Sequence, residues 1–260
     1  MDNNSERELI HGYYACVTFI DFQIGKIVKK LNTKGLMDNT IIVIWGDHGY
    51  HLGDHRLWNK HSNFEQATRS PLIIYAPQDQ TPKKVYSPTE FVDIFPTLCE
   101  LANIPLHSGL DGQSLLPLMD GSAKSVKEYA VSQYPRNQNM GYSFRSSDYR
   151  YTLWINKSKI GKEISEKDII QEELFDYSKD PLETENLIQV DGYESIYKKI
   201  KADGLAFLSP PKKPLINKPK SKFGIGIQKL LDQNNYDKNN VVIGATLNHN
   251  QLNTKVSDLF

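Results

Sequence analysis

Ile41-Ile42-Val43-Ile44-Trp45-Gly46-Asp47-His48-Gly49-Tyr50-His51-Leu52-Gly53-Asp54-His55 is the stretch on which the reading of the fold turns. The β-branched run 41–45 has no polar face, which predicts a strand covered on both sides, as in a parallel sheet. Gly46 ends it, and residues 46–63 follow neither a helical nor a strand period. That loop holds four of the seven histidines, together with Asp47, Asp54 and Lys60. In open α/β sheets, ligands bind beyond the carboxyl ends of the strands. Asp47-His48 offers one hard oxygen and one imidazole to a divalent cation, with Gly46 and Gly49 allowing close backbone approach. Strand capping and surface hydrogen bonding are the alternative use of such residues. The density of titratable groups between two apolar strands favours a site. His51-x-x-x-His55 has the spacing of a helical zinc protease, but Leu52 stands where that motif needs glutamate and Gly53 breaks any helix.

Upstream, Leu9, Tyr13, Val17, Ile20, Ile24, Ile27 and Leu31 recur every three or four residues and predict one helix over 6–35. Downstream, 64–69 reads as a helical turn and Pro71-Leu72-Ile73-Ile74-Tyr75-Ala76 as a second buried strand. Ser87-Pro88-Thr89-Glu90 has the form of a capping box before a helix carrying Val92, Phe95, Leu98 and Leu101. This alternation argues an α/β layer fold to about residue 105. Beyond it, 129–134, 141–145, 149–154 and 173–177 alternate as antiparallel strands, Asp180-Pro181 opens a turn, and 189–207 forms a closing amphipathic helix. The stretch 210–222 is rich in proline and lysine without interleaved aromatics, the composition of an extended linker.

The 260 residues are 39% apolar and 24% charged, an ordinary globular balance. Thirty-one basic residues match thirty-one acidic ones, so no cationic surplus points to nucleic acid. Cys16 and Cys99 match no metal or redox spacing and make no disulfide framework. No apolar run reaches the roughly 18 residues of a membrane span. The polar start, residues 1–8, does not read as a signal peptide.

Gly46-Asp47-His48-Gly49-Tyr50-His51-Leu52-Gly53-Asp54-His55, then Leu57-Trp58-Asn59-Lys60-His61-Ser62-Asn63-Phe64-Glu65 and Thr68-Arg69-Ser70-Pro71-Leu72-Ile73, resemble the sulfatase family. The iduronate-2-sulfatases and their bacterial homologues are the nearest in pattern. Tyr13-Tyr14-Ala15-Cys16-Val17, Val92-Asp93-Ile94-Phe95-Pro96-Thr97-Leu98 and Glu173-Leu174-Phe175-Asp176-Tyr177 with Asp180-Pro181-Leu182-Glu183 extend the likeness in order over about residues 6–190. The resemblance implies an alkaline-phosphatase-like α/β fold. Residues 1–105 would be the C-terminal part of its large sheet domain, 106–207 a small antiparallel α+β C-terminal subdomain, and 208–260 linker and tail. It also implies hydrolysis of sulfate esters, with sulfated glycans of the uronate 2-sulfate type as the substrate class and an extracytoplasmic parent protein, periplasmic or secreted.

By position, Asp47 and His48 match ligands of a calcium ion that neutralises sulfate oxygens and holds the formylglycine hydrate. Lys60 matches the lysine that contacts the sulfate, and His61 beside it faces the substrate. The family's nucleophile is a cysteine or serine in a C/S-x-P/A-x-R context. Cys16 is followed by Val17-Thr18-Phe19 and Cys99 by Glu100-Leu101-Ala102, so neither fits. The expectation is therefore the C-terminal portion of a sulfatase, with no catalytic nucleophile, a partial calcium shell and no turnover of its own. Two other readings stand beside it. One is a metal-dependent phosphatase or phosphodiesterase of the same superfold, against which the Lys60–Phe64 and Asp180–Glu183 stretches weigh. The other is a non-catalytic glycan-binding remnant. After about residue 235, Val241-Val242-Ile243-Gly244-Ala245-Thr246-Leu247-Asn248-His249-Asn250-Gln251-Leu252 resembles the first strand and following turn of family 10 xylanases, implying a parent that joins a sulfatase to a glycan hydrolase. A loosely packed tail is the other reading.

Overall fold

The structure is a computed structural model that describes residues 3–78 and 82–209. The linker and the xylanase-like segment lie outside the described residues. Helix α1 (Asn3–Thr33) follows the apolar stripe read from the sequence. Leu31 alone of its residues is buried, and Leu9, Val17 and Ile27 on the stripe are exposed. Tyr13 meets the Tyr50 ring at 5.2 Å, the point where the helix touches the histidine-rich loop.

Strand β1 (Ile42–Trp45) leads into that loop, which carries the two-residue strands β2 (His51–Leu52) and β3 (Trp58–Asn59) and the short helix α2 (Glu65–Thr68). Strand β4 (Leu72–Tyr75) returns beside β1. The two run antiparallel, Ile42 opposite Tyr75 and Trp45 opposite Leu72, and form a two-stranded sheet among the described residues. The parallel, doubly covered sheet expected from the sequence is not what these strands make here. An unbroken apolar run reports what a strand's faces touch, not its direction, and Ile73 is 58% exposed.

A 3₁₀ turn, Phe91–Asp93, opens α3 (Ile94–Leu101). The capping box lies three residues later than the sequence suggested. Glu90 in extended backbone is the cap, its N–H donating to Asp93 Oδ2 at 2.8 Å while its side chain accepts from the Asp93 N–H. Asp93 is fully buried and also takes the Gln113 N–H and the Lys127 ammonium, which binds α3 to the approach to the second sheet. Helix α4 (Leu116–Met119) follows.

The second layer is a four-stranded antiparallel meander, β5 (Ala130–Arg136), β6 (Asn139–Arg145), β7 (Tyr149–Asn156) and β8 (Ile169–Asp176), closed by α5 (Glu194–Leu208). Strand alternation sorts its residues onto two faces. Tyr142, Phe144, Tyr151, Leu153, Ile155 and Leu174 gather with Ile200 of α5 into the main core. The opposite face carries Ser132, Ser143, Arg150 and Thr152, and it is this polar face that receives the histidine-rich loop.

Candidate active site

Gly46 N–H donates to the Pro71 carbonyl at 3.1 Å and Gly49 N–H to the Ala67 carbonyl at 2.8 Å, so the Asp47-His48 step is pinned at both ends. Only glycine fits the second of these positions. A Cβ on Gly49 would lie 2.0 Å from the Gln66 carbonyl oxygen. Between the two tethers, the Asp47 side chain is 79% exposed. His48 Nδ1 donates to the Gly49 carbonyl at 2.7 Å, because a carbonyl oxygen can only accept. That bond fixes the ring with Nε2 3.4 Å from Asp47 Oδ2. An oriented imidazole beside an exposed carboxylate is what two adjacent ligands of one cation require. Among the described residues no third His, Cys, Asp or Glu joins them, so the pair fits one side of a cation shell.

Lys60 and His61 lie at the other end of the loop. The β2–β3 pairing sets His51 opposite Asn59. His51 Nε2 shares a hydrogen bond with Ser62 Oγ at 2.7 Å, and Phe64 N–H donates to the same hydroxyl. His48 reaches this clasp through at most about 10 Å of chain, and His61 is its immediate neighbour. The clasp therefore ties the segment that follows Asp47-His48 to the segment that follows Lys60-His61. Lys60 and His61 are exposed, and Lys60 makes no ion pair among the described residues.

Three other residues of the loop, His51, Ser62 and Asn63, are buried. His51 is fully buried, and burial holds its pKa below the ordinary value, with His55 adding to the effect while Asp54 and Glu183 oppose it. His55 stacks on Phe64 at 4.0 Å, and Phe64 meets Phe175 edge-on at 5.9 Å. No helix carries the two histidines: His51 begins β2 and His55 lies in a 3₁₀ turn at φ 54°, so the zinc-protease spacing is incidental. Asn63 donates to the Gly141 carbonyl at 3.1 Å and accepts from Ser132 Oγ at 3.4 Å. Gly141 has no alternative, since a Cβ there would stand 2.8 Å from Asn63 Nδ2 and 2.9 Å from the Trp154 ring.

Behind the loop sits a buried charge cluster that reading the sequence for chemistry missed. Arg150, 1% exposed, donates through Nε to Glu183 at 2.5 Å, through Nη1 to Ser143 at 2.9 Å and through Nη2 to Glu65 at 2.5 Å. Glu183 also accepts the Glu65 backbone N–H at 2.7 Å, closing the first turn of α2 from a position 118 residues away. Burial works to raise the Glu65 carboxyl, but Arg150 and then Arg145 outweigh it and hold it below its ordinary value. An arginine at an alternating position between Tyr149 and Tyr151 was the one visible signal.

Residues 53–207 match the family described as N-sulphoglucosamine sulphohydrolase, C-terminal, and residues 1–104 match the family described as Sulfatase. The chain belongs to the sulfatase family. A sulfatase of Formosa agariphila is 31% identical over 177 residues, 68% of this chain and 32% of that protein. The mouse iduronate 2-sulfatase is 31% identical, with 70% of this chain and 44% of that protein aligned. Among solved structures, a 2-O GAG sulfatase superimposes with TM-score 0.68 at 28% identity, covering 79% of this chain and 44% of that one. The fold is thus the alkaline-phosphatase-like fold of sulfatases. The chain spans between about a third and under half of the length of these relatives. Among the described residues of this sulfatase chain, no helix is long and apolar enough to cross a membrane.

Proposed function

We propose that this chain forms part of a sulfuric ester hydrolase acting on sulfated glycans of the uronate 2-sulfate type, in an extracytoplasmic setting. The observation that carries the reading is the pinned Asp47-His48 pair, exposed at Asp47 and half-buried at His48, joined through the His51–Ser62 clasp to exposed Lys60 and His61. Two relatives point to the substrate class by name, an iduronate 2-sulfatase and a 2-O GAG sulfatase. Asp47 and His48 would hold a calcium ion, which when bound supplies positive charge against the sulfate oxygens. Lys60 meets the tetrahedral sulfate with a mobile ammonium, a point charge suited to an anion that has no preferred plane. His61 lies beside it and lines the same approach. His51 and Ser62 bind nothing themselves and keep Lys60 and His61 in register with Asp47.

The sequence has no C/S-x-P/A-x-R motif, so these residues supply binding and electrostatics but not the covalent nucleophile. The chain by itself should release no sulfate from an aryl sulfate above a blank. Fused behind a sulfatase segment that carries the motif, it should hydrolyse a 2-O-sulfated uronate disaccharide. In that fusion Asp47→Ala should be partly rescued by excess calcium. Lys60→Ala should not, and should lower kcat/KM by about 10²–10³, the scale for one preorganised electrostatic donor. If both variants answer calcium alike, the assigned roles are wrong. Faster turnover of a phosphate ester than of its sulfate counterpart would move the reading to a phosphatase.

A further inference from the structure

Ser132, Tyr134 and Arg136 alternate along β5, so their side chains stand on one face of the sheet. The register sets them opposite Ser143, Gly141 and Asn139 of β6. Asn63 is bound to that face through Ser132 and Gly141, so the loop carrying Lys60 and His61 has a fixed distance from β5. The outcome is a contact between the two: the His61 and Tyr134 rings lie 5.9 Å apart, tilted by 32°.

One position farther along the same face, the Arg136 guanidinium lies 5.3 Å from the centre of the Trp154 ring. The ring steadies the cation without neutralising it. Arg136 is exposed and makes no ion pair among the described residues. Glu173, whose charge it feels, stands beyond ion-pair distance. His61, a half-buried tyrosine ring and a free guanidinium fork thus follow one another outward from Lys60. A tyrosine face accepts the C–H face of a sugar ring, and a guanidinium fork accepts a carboxylate or sulfate through paired hydrogen bonds.

We propose that Tyr134 and Arg136 form a subsite for a second anionic group of the glycan, beside the ester sulfate received by Lys60 and His61. The proposal rests on the sulfatase reading of Lys60 and His61, and the test separates the two. Binding to the full chain is measured by calorimetry with 4-nitrophenyl sulfate and with a 2-O-sulfated uronate–N-sulfoglucosamine disaccharide. Two further arms use the disaccharide's uronate methyl ester and its N-acetyl counterpart. Arg136→Ala should weaken the disaccharide about tenfold or more, the scale of a lost charge-assisted hydrogen bond, and leave the aryl sulfate within about twofold. Arg136→Lys, which keeps the charge but not the fork, should recover only part. The arm that has lost the group gripped by Arg136 becomes insensitive to Arg136→Ala, which identifies the carboxylate or the N-sulfate. Lys60→Ala should weaken every sulfated probe. If Lys60→Ala does so while Arg136→Ala changes none of them, or changes the aryl sulfate equally, the subsite is wrong and the sulfatase site stands. If Lys60→Ala weakens none of the four probes, the sulfatase site falls and the subsite with it.

Discussion

A histidine with no exposure and one ring nitrogen unpartnered among the described residues is costly to protonate, and His51 is such a residue. Its folded pKa lies below the ordinary 6.5, chiefly through burial. As pH falls below about 6.5, the unfolded chain takes up this proton first, so the folded state loses stability from there down to the folded pKa. Above 6.5 both states are neutral and the effect vanishes. Unfolding midpoints in urea should therefore drop on acidification from pH 7 toward 5.5, and His51→Gln should flatten that slope. A parallel slope in the variant would place the acid sensitivity elsewhere. His51→Ala should also cost about 1–3 kcal/mol at pH 7.5, because it deletes a buried hydrogen bond and unpacks His55 and Phe64. The sequence marks His51 as a loop histidine, but not as the clasp between the ends of the site. Its partner Ser62 is eleven residues away and has no pattern of its own.

At the scale of elements, the meander β5–β8 was legible because a two-residue alternation survives whatever packs on it. The direction of β1 and β4 was not, since a continuous apolar run is the same in either direction. Least legible was the bond between layers. Glu183 caps α2 and pairs with Arg150, while Glu65 pairs with the same arginine across 85 residues, so no local window contains the cluster. Removing its cation while keeping its volume leaves two carboxylates facing each other in a buried space. Arg150→Met should thus destabilise by about 3–5 kcal/mol, far beyond an exposed arginine such as Arg69. Denaturant unfolding of Arg150→Met and Arg69→Met side by side checks this, and equal losses would mean that the cluster holds nothing. The cluster also has a pH signature. The depressed Glu65 pKa contributes stability above the ordinary carboxyl value of 4.5, lost as pH falls through the folded value. Gly141→Ala tests the neighbouring joint: overpacking against Asn63 and Trp154 should cost about 1–3 kcal/mol and loosen the loop that carries Lys60.

Across the whole molecule, apolar surface is distributed unevenly. The β5–β8 layer buries its aromatic face against α5, whereas α1 and Ile73 of β4 leave apolar side chains open. Tyr14, Phe19 and Phe22 on α1 are 62%, 57% and 61% exposed, and Ile73 on β4 is 58% exposed. Exposed apolar side chains of this kind, together with a two-stranded ribbon with free edges among the described residues, favour association. The charge balance adds nothing against it, because 31 basic and 31 acidic residues leave no net repulsion between copies near neutral pH. The chain on its own should therefore elute as concentration-dependent oligomers in size-exclusion chromatography with light scattering, and it should bind an apolar dye before any heating. Phe19→Lys with Phe22→Lys should shift it toward monomer, since both positions are exposed and neither change removes a buried contact. The site should be spared by the same substitutions, because α1 reaches the histidine loop at Tyr13 and Tyr50 rather than through either phenylalanine. A monodisperse monomer at high concentration, with no dye binding and no response to the double lysine change, would show that these faces are tolerated by solvent as they stand.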